Sequence, residues 1–204
     1  MFTNNEPSEE EESPNEAHML GPASEEEPPL MGLVGDITEE AAQQLAMSLL
    51  GYNGGKILAS KEDLEDDVDI EFFICSGGGA VNDMFSVYDL MRVVKANRDI
   101  ATFGYGKVYS AAVLLLASGT PGKRYISRNT RVMLHHCSAD IGGTHASIRS
   151  SFKELKKLEA KMVQEISDYS NLDVSEIYEL FSTNTDKYFS AKQALEMGLV
   201  DKII

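Results

Sequence analysis

Between Asp69 and Phe103 the chain alternates in a way that leaves few folds open. Ile70, Phe72, Phe73, Ile74 and Cys75 make a short run apolar enough for a buried strand, and Ser76-Gly77-Gly78-Gly79 follows at once. Val81, Met84, Val87, Met91 and Val94 then recur at helical spacing, before Asp99-Ile100-Ala101-Thr102-Phe103 returns as a second strand. This is a β-α-β unit with a glycine turn after its first strand. It predicts an α/β domain with a largely parallel sheet.

The flanking segments continue the alternation. Leu30 to Val34 reads as a strand closed by Gly35 and Asp36, and Thr38 is placed to cap a helix that carries Ala42, Leu45, Leu49 and Leu50 on one face. Gly51 to Asp67 reads as a loop. From Gly104 to Gly122 the pattern is a strand end, a tight turn and a helix opened by Ser110, whose residues Ala111 to Ala117 are apolar on all sides and therefore buried. Arg124 to Ser127 and Arg131 to Leu134 look like a hairpin turned at Asn129. After a loop of small residues to Gly143 comes the longest helix, with Ile148, Phe152, Leu155, Leu158, Met162 and Ile166 on one stripe and Lys156, Lys157 and Lys161 opposite. An apolar stripe of this length suggests a second subunit. A short helix near Val174 to Phe181, a loop through Asn184 and Asp186, a helix from Ser190, Gly198 as its C-cap and a strand from Leu199 to Ile204 complete the chain.

Residues 1 to 29 differ from the rest. They hold nine Glu and five of the six Pro and lack Lys and Arg, a mixture that cannot bury enough apolar surface to offset its ordering entropy. We expect a disordered acidic tail or propeptide, with the folded domain spanning 30–204. The tail lacks the basic start and apolar stretch of a targeting signal. Removing its nine carboxylates from the net charge of −15 leaves about −6 for the body, which argues against nucleic acid as a partner. No apolar run reaches the roughly 20 residues that span a bilayer, so no membrane partner is expected. Cys75 and Cys137 belong to no CxxC pair, which suits a reducing cytoplasm.

Three residues capable of acid–base chemistry sit where loops meet strands: Ser110, His135 and Asp186. Ser110 could be a helix cap or a nucleophile, since the free N–H groups of a first helical turn can also hold an oxyanion. The Gly77 to Gly79 run matches neither GxGxxG nor GxxxxGK[ST], but glycine lets backbone N–H groups approach a substrate carbonyl. His135, His136 and Cys137 could be metal ligands, although no further Cys or His lies at zinc-site spacing. Taken together, the three are a possible nucleophile, base and orienter. Their order, Ser-His-Asp, is not that of chymotrypsin or of the α/β-hydrolases, and the GxSxG elbow is absent.

From about Leu30 to Ile204 the chain resembles the ClpP family, the proteolytic subunits of the ATP-dependent Clp protease. Gly35-Asp36-Ile37-Thr38-Glu39-Glu40 is similar to the family's first turn and helix, and Ser76 to Gly79 to its SPGG loop with Gly77 in place of proline. Tyr88-Asp89 matches a YD pair. Ser110 falls on the nucleophile, twelve residues ahead of Gly122-Lys123-Arg124-Tyr125. Arg131-Val132-Met133-Leu134-His135 resembles the RVMIH segment, and Asp186 to Ala191 the segment with the triad aspartate.

The resemblance implies a crotonase-like α/β fold of repeated β-β-α type units, with helix 144–170 as a protruding handle. It implies a serine endopeptidase with catalytic Ser110, His135 and Asp186, oxyanion N–H groups from Gly79 and Ala111, and neither cofactor nor metal in this subunit. The implied assembly is a homo-oligomer of heptameric rings stacked as a tetradecamer, or a mixed ring with other ClpP subunits. It would degrade unfolded proteins with an AAA+ unfoldase that uses the ATP. The alternatives are a catalytically silent ring subunit and a phage-type maturation protease of the same fold. Departures include Lys107, Val108 and Tyr109 before the serine, Ala112 for a glycine, Cys137 for a proline and Thr185 for a basic residue used between rings. A divergent, tail-bearing copy of this kind would suit a phage or plastid origin.

Overall fold

The computed structural model describes residues 29–64, 68–182 and 185–204. The acidic tail expected over 1–29 lies, except for Pro29, outside the described residues, as does Asn184. Strand β1 (Leu30–Ile37) leads into α1 (Glu39–Tyr52), whose start is fixed by Thr38 accepting a hydrogen bond from Ala41 N at 3.2 Å. β2 (Ile70–Gly79), α2 (Val81–Val94) and β3 (Ile100–Tyr109) form the β-α-β unit. The sheet orders these strands β1-β2-β3, parallel throughout. A 3-10 turn, Lys61–Asp63, lies in the connection between α1 and β2.

After β3 comes α3 (Ala112–Ala117), every residue of which is buried. It packs against β2 and β3 on one side and α2 on another. The all-round apolarity of its sequence is what such a position requires.

The expected hairpin is not formed. β4 (Arg124–Ile126) and β5 (Arg131–Leu134) do not pair with each other; both lie parallel to β3, one after the other along the same edge. β4 pairs with Thr102 to Gly104 and β5 with Lys107 to Tyr109. The intervening residues enter the gap between them: Ser127 N and Thr130 Oγ1 both donate to Gly104 O, at 2.9 and 3.1 Å. Gly106, at φ 62°, lets β3 bend there, and its register with β2 shifts at the same place. A turn was legible around Asn129, but a turn does not say which strand its flanks will join.

α4 (His145–Asp168) is capped by Thr144, which accepts from Ser147 N at 3.2 Å. At 24 residues it is about 36 Å long. Its apolar stripe divides. Met162, Val163 and Ile166 are buried against the body, whereas Ile148 and Phe152 are 41% and 50% exposed. Lys156 lies over the Phe152 ring. Tyr88 of α2 anchors the buried half by donating its hydroxyl to Glu165.

α5 (Val174–Ser182) follows, then β6 (Lys187–Ser190), α6 (Ala191–Glu196) and β7 (Lys202–Ile203). Ser190 and Gln193 form a reciprocal capping box on α6, and Gly198 follows the helix at φ 72°. β7 pairs with β4, while β6 is antiparallel to β5. Among the described residues no helix is long and apolar enough to cross a membrane.

Candidate active site

Ser110 sits at the junction of β3 and α3 with φ 55°, the one non-glycine among the described residues in the left-handed region. Such a conformation costs about 1 kcal/mol or more and needs support from its surroundings. Two contacts supply it. Ser110 N donates to Met133 O at 2.8 Å, and Gly78 of the glycine run lies directly against the serine. The side chain does not cap α3, whose N-cap position is Ala111 without a side-chain bond. Instead Ser110 Oγ lies 2.7 Å from His135 Nε2.

His135 is the residue after β5. The antiparallel register of β5 and β6 pairs Leu134 with Lys187, so continuing it by one residue sets His135 opposite Asp186. Nδ1 of His135 is 3.6 Å from Asp186 Oδ1, an ion-pair distance rather than a close hydrogen bond. Tyr188 donates its hydroxyl to the other oxygen, Asp186 Oδ2, at 3.3 Å, and its ring meets Tyr109 edge-on at 5.6 Å. Desolvation, and after it the charge and hydrogen bond of Asp186, raise the Tyr188 pKa, which keeps that hydroxyl a donor.

The glycine run packs beside the serine. An added Cβ at Gly78 would lie 2.7 Å from Ser110 Cβ and 3.2 Å from Ala111 N. Gly78 N donates to Ser76 Oγ at 3.0 Å, and Gly79 is pressed against the backbone of Ile37. The structure thus brings Ser110, Ala111, His135, Asp186 and Gly78 together, while Gly77 faces Asp36 and Lys107 and Gly79 faces Ile37. His136 is directed elsewhere: its Nδ1 is 3.1 Å from Glu159 Oε2, and its ring lies near Phe181.

Cys137 packs against the core, where burial pushes its thiol up to about 11. A thiol held that high is almost wholly protonated at neutral pH and is a poor nucleophile or metal ligand. Among the described residues no group of three or more His, Cys, Asp or Glu side chains could hold a metal ion. Tyr188 and Glu159 carried no signal in the sequence. Their roles depend on a strand pairing and on a helix 22 residues away in the chain.

Comparison with known proteins agrees on one group. The family model described as Clp protease matches residues 31–204. The chain is similar to the ATP-dependent Clp protease proteolytic subunit 2 of Corynebacterium efficiens, 33% identical over 82% of this chain and 78% of that protein. It is likewise similar to proteolytic subunit 1 of Corynebacterium jeikeium, at 33% over 82% of both chains. Proteolytic subunit 2 of Thermobifida fusca is 34% identical over 74% of this chain and 71% of its own.

Proposed function

The chain belongs to the Clp protease family and is a serine-type proteolytic subunit, and on that premise we propose that Ser110, His135 and Asp186 are its catalytic triad. The 2.7 Å contact between Ser110 Oγ and His135 Nε2 carries this reading. With Nε2 accepting from the serine, the ring proton resides on Nδ1, facing Asp186. His135 takes the hydroxyl proton as Oγ attacks the scissile carbonyl, and Asp186 stabilises the resulting imidazolium. The backbone N–H groups of Gly79 and Ala111 hold the oxyanion. The imidazolium then protonates the leaving amine, and a water activated by His135 releases the acyl group from Ser110.

The peptidase domain is residues 30–204, with the acidic segment 1–29 as a tail or propeptide outside it. Its substrates are unfolded proteins, handed over by an AAA+ unfoldase in the cytoplasm, and the subunit itself needs no cofactor. Heptameric rings stacked through the handle α4 are the proposed assembly. The exposed Ile148 and Phe152 on the half of α4 that leaves the body support it, since such a face is costly to leave in water.

A fluorophosphonate label tests the assignment. It should modify Ser110 stoichiometrically, and Ser110→Ala should lower peptide cleavage by about 10⁴-fold or more without changing assembly. A folded chain that leaves Ser110 unlabelled is a silent subunit. Solution mass decides assembly: seven or fourteen copies support it, and a stable monomer at micromolar concentration rejects it.

A further inference from the structure

We propose that Glu159 is a positioning residue for the catalytic base, holding the segment that follows His135 so that the imidazole stays within reach of Ser110. The proposal rests on the assignment of Ser110 and His135 made above. The ladder of β5 ends at Leu134, and residues 135–142 belong to no strand or helix. His135 therefore stands at the point where sheet support stops. Glu159, on the buried side of α4, reaches into that gap. One oxygen, Oε2, accepts from Cys137 N at 2.9 Å and meets His136 Nδ1 at 3.1 Å. Its side chain is only 18% exposed, so neither bond is in full competition with water.

The rest of the segment is oriented around this clamp. The His136 ring lies 5.7 Å from that of Phe181, and Cys137 packs on the core. With the His136 ring and the Cys137 backbone N–H held by Glu159, His135 is left to point away from His136, as successive side chains of an extended backbone do. The geometry at stake is the 2.7 Å between Nε2 and Oγ. A misplacement of the order of 1 Å at a reacting group can cost about a hundredfold in rate. Glu159 touches neither Ser110 nor His135 directly, so its loss should alter how often the base is in place and leave peptide binding alone.

The test compares Glu159→Ala and Glu159→Gln in the assembled full chain, with a short fluorogenic peptide as substrate and fluorophosphonate titration to count active sites. Glutamine keeps an amide oxygen where Oε2 lies and can still accept from Cys137 N–H. We expect kcat per titrated site to fall about tenfold in Glu159→Ala, KM to stay within about twofold, and Glu159→Gln to recover most of the rate. Glu159→Asp, one methylene too short to reach, carries the same comparison if the alanine variant does not assemble. Unchanged kcat per titrated site in the alanine or aspartate variant overturns the proposal. So does a KM that rises in step with the fall in kcat, or a glutamine variant as slow as alanine. Failure of the underlying assignment has a different signature, because Ser110 would then not titrate in the parent protein.

Discussion

Gly78 and Ser110 are packed with no space for a methyl group between them: a Cβ on Gly78 would fall 2.7 Å from Ser110 Cβ and 2.8 Å from Tyr109 O. Gly78 also has φ 92°, a conformation that L side chains rarely adopt. Gly78→Ala should therefore displace the nucleophile, and kcat/KM for a short peptide should drop by about a hundredfold. Gly122→Ala is the control. Gly122 is at φ 87° but has open space around it, so the variant should pay only backbone strain of about 1 kcal/mol in stability and keep its peptidase rate.

The two adjacent histidines should behave in opposite ways. His135→Ala removes the proposed base, which contacts Ser110, and should reduce kcat by about 10⁴-fold. His136→Ala removes one partner of Glu159 and should leave kcat within about tenfold of the parent. Steady-state peptide hydrolysis separates them, and a large loss in the His136 variant would reverse the assignment of the base.

Tyr188→Phe deletes the hydroxyl that binds Asp186 Oδ2 while keeping the ring against Tyr109. An exposed hydrogen bond at 3.3 Å competes with water, so kcat should fall only about two- to fivefold with little change in KM. An unaltered rate would mean that Asp186 is held by its backbone alone.

Much of the frame was open to reading from local chemistry. Thr38 and the Ser190 to Gln193 box cap their helices as their residue types lead one to expect, and the glycine turn at Ser76 to Gly79 does follow a buried strand. What stayed hidden was long-range. Arg131 to Leu134 looks like half of a hairpin, but its partners are Lys107 to Tyr109 on one side and Lys187 to Ser190 on the other. The handle stripe has uniform spacing from Ile148 to Ile166, and spacing cannot tell which half will find the body. Ser110, His135 and Asp186 were identifiable by type and by resemblance. Tyr188 and Glu159, which make contacts around them, were not, because a tyrosine on a strand looks like an ordinary surface residue and a glutamate beside an apolar helix stripe does not tell which loop it will meet.

Asp201 joins the sheet edge to the loop after α3. Its carboxylate takes Arg124 Nε at 2.9 Å, Arg124 Nη2 at 2.6 Å and Gly122 N at 2.7 Å. Burial alone would raise its pKa, but the Arg124 hydrogen bonds and charge outweigh it and hold the carboxyl below its usual range. A carboxylate depressed in the folded state adds stability that is complete above its unfolded pKa and is lost as pH falls through the folded value. Asp201→Asn should cost about 2 kcal/mol at pH 7, and the gap to the parent in urea unfolding should close below about pH 4. A gap independent of pH would show that the charge is not what matters.

Cys137 should resist alkylation. With its thiol pushed up to about 11, its thiolate fraction at pH 8 is about a hundredfold below that of a free cysteine. Timed iodoacetamide labelling with peptide mapping should find Cys137 modified at least tenfold more slowly than a cysteine in an unfolded reference peptide. Rapid labelling of Cys137 would mean that the segment after His135 opens readily.

The antiparallel seam between β5 and β6 sets an order in time. Ser110 and His135 are translated first, and the stretch that carries Asp186 and zips onto β5 is translated well after both. Until it emerges, Arg131 to Leu134 has an unpaired edge and the imidazole has no carboxylate behind it. In the proposed triad, then, a chain still on the ribosome holds a nucleophile it cannot use, and cutting power arrives with the closing of the sheet.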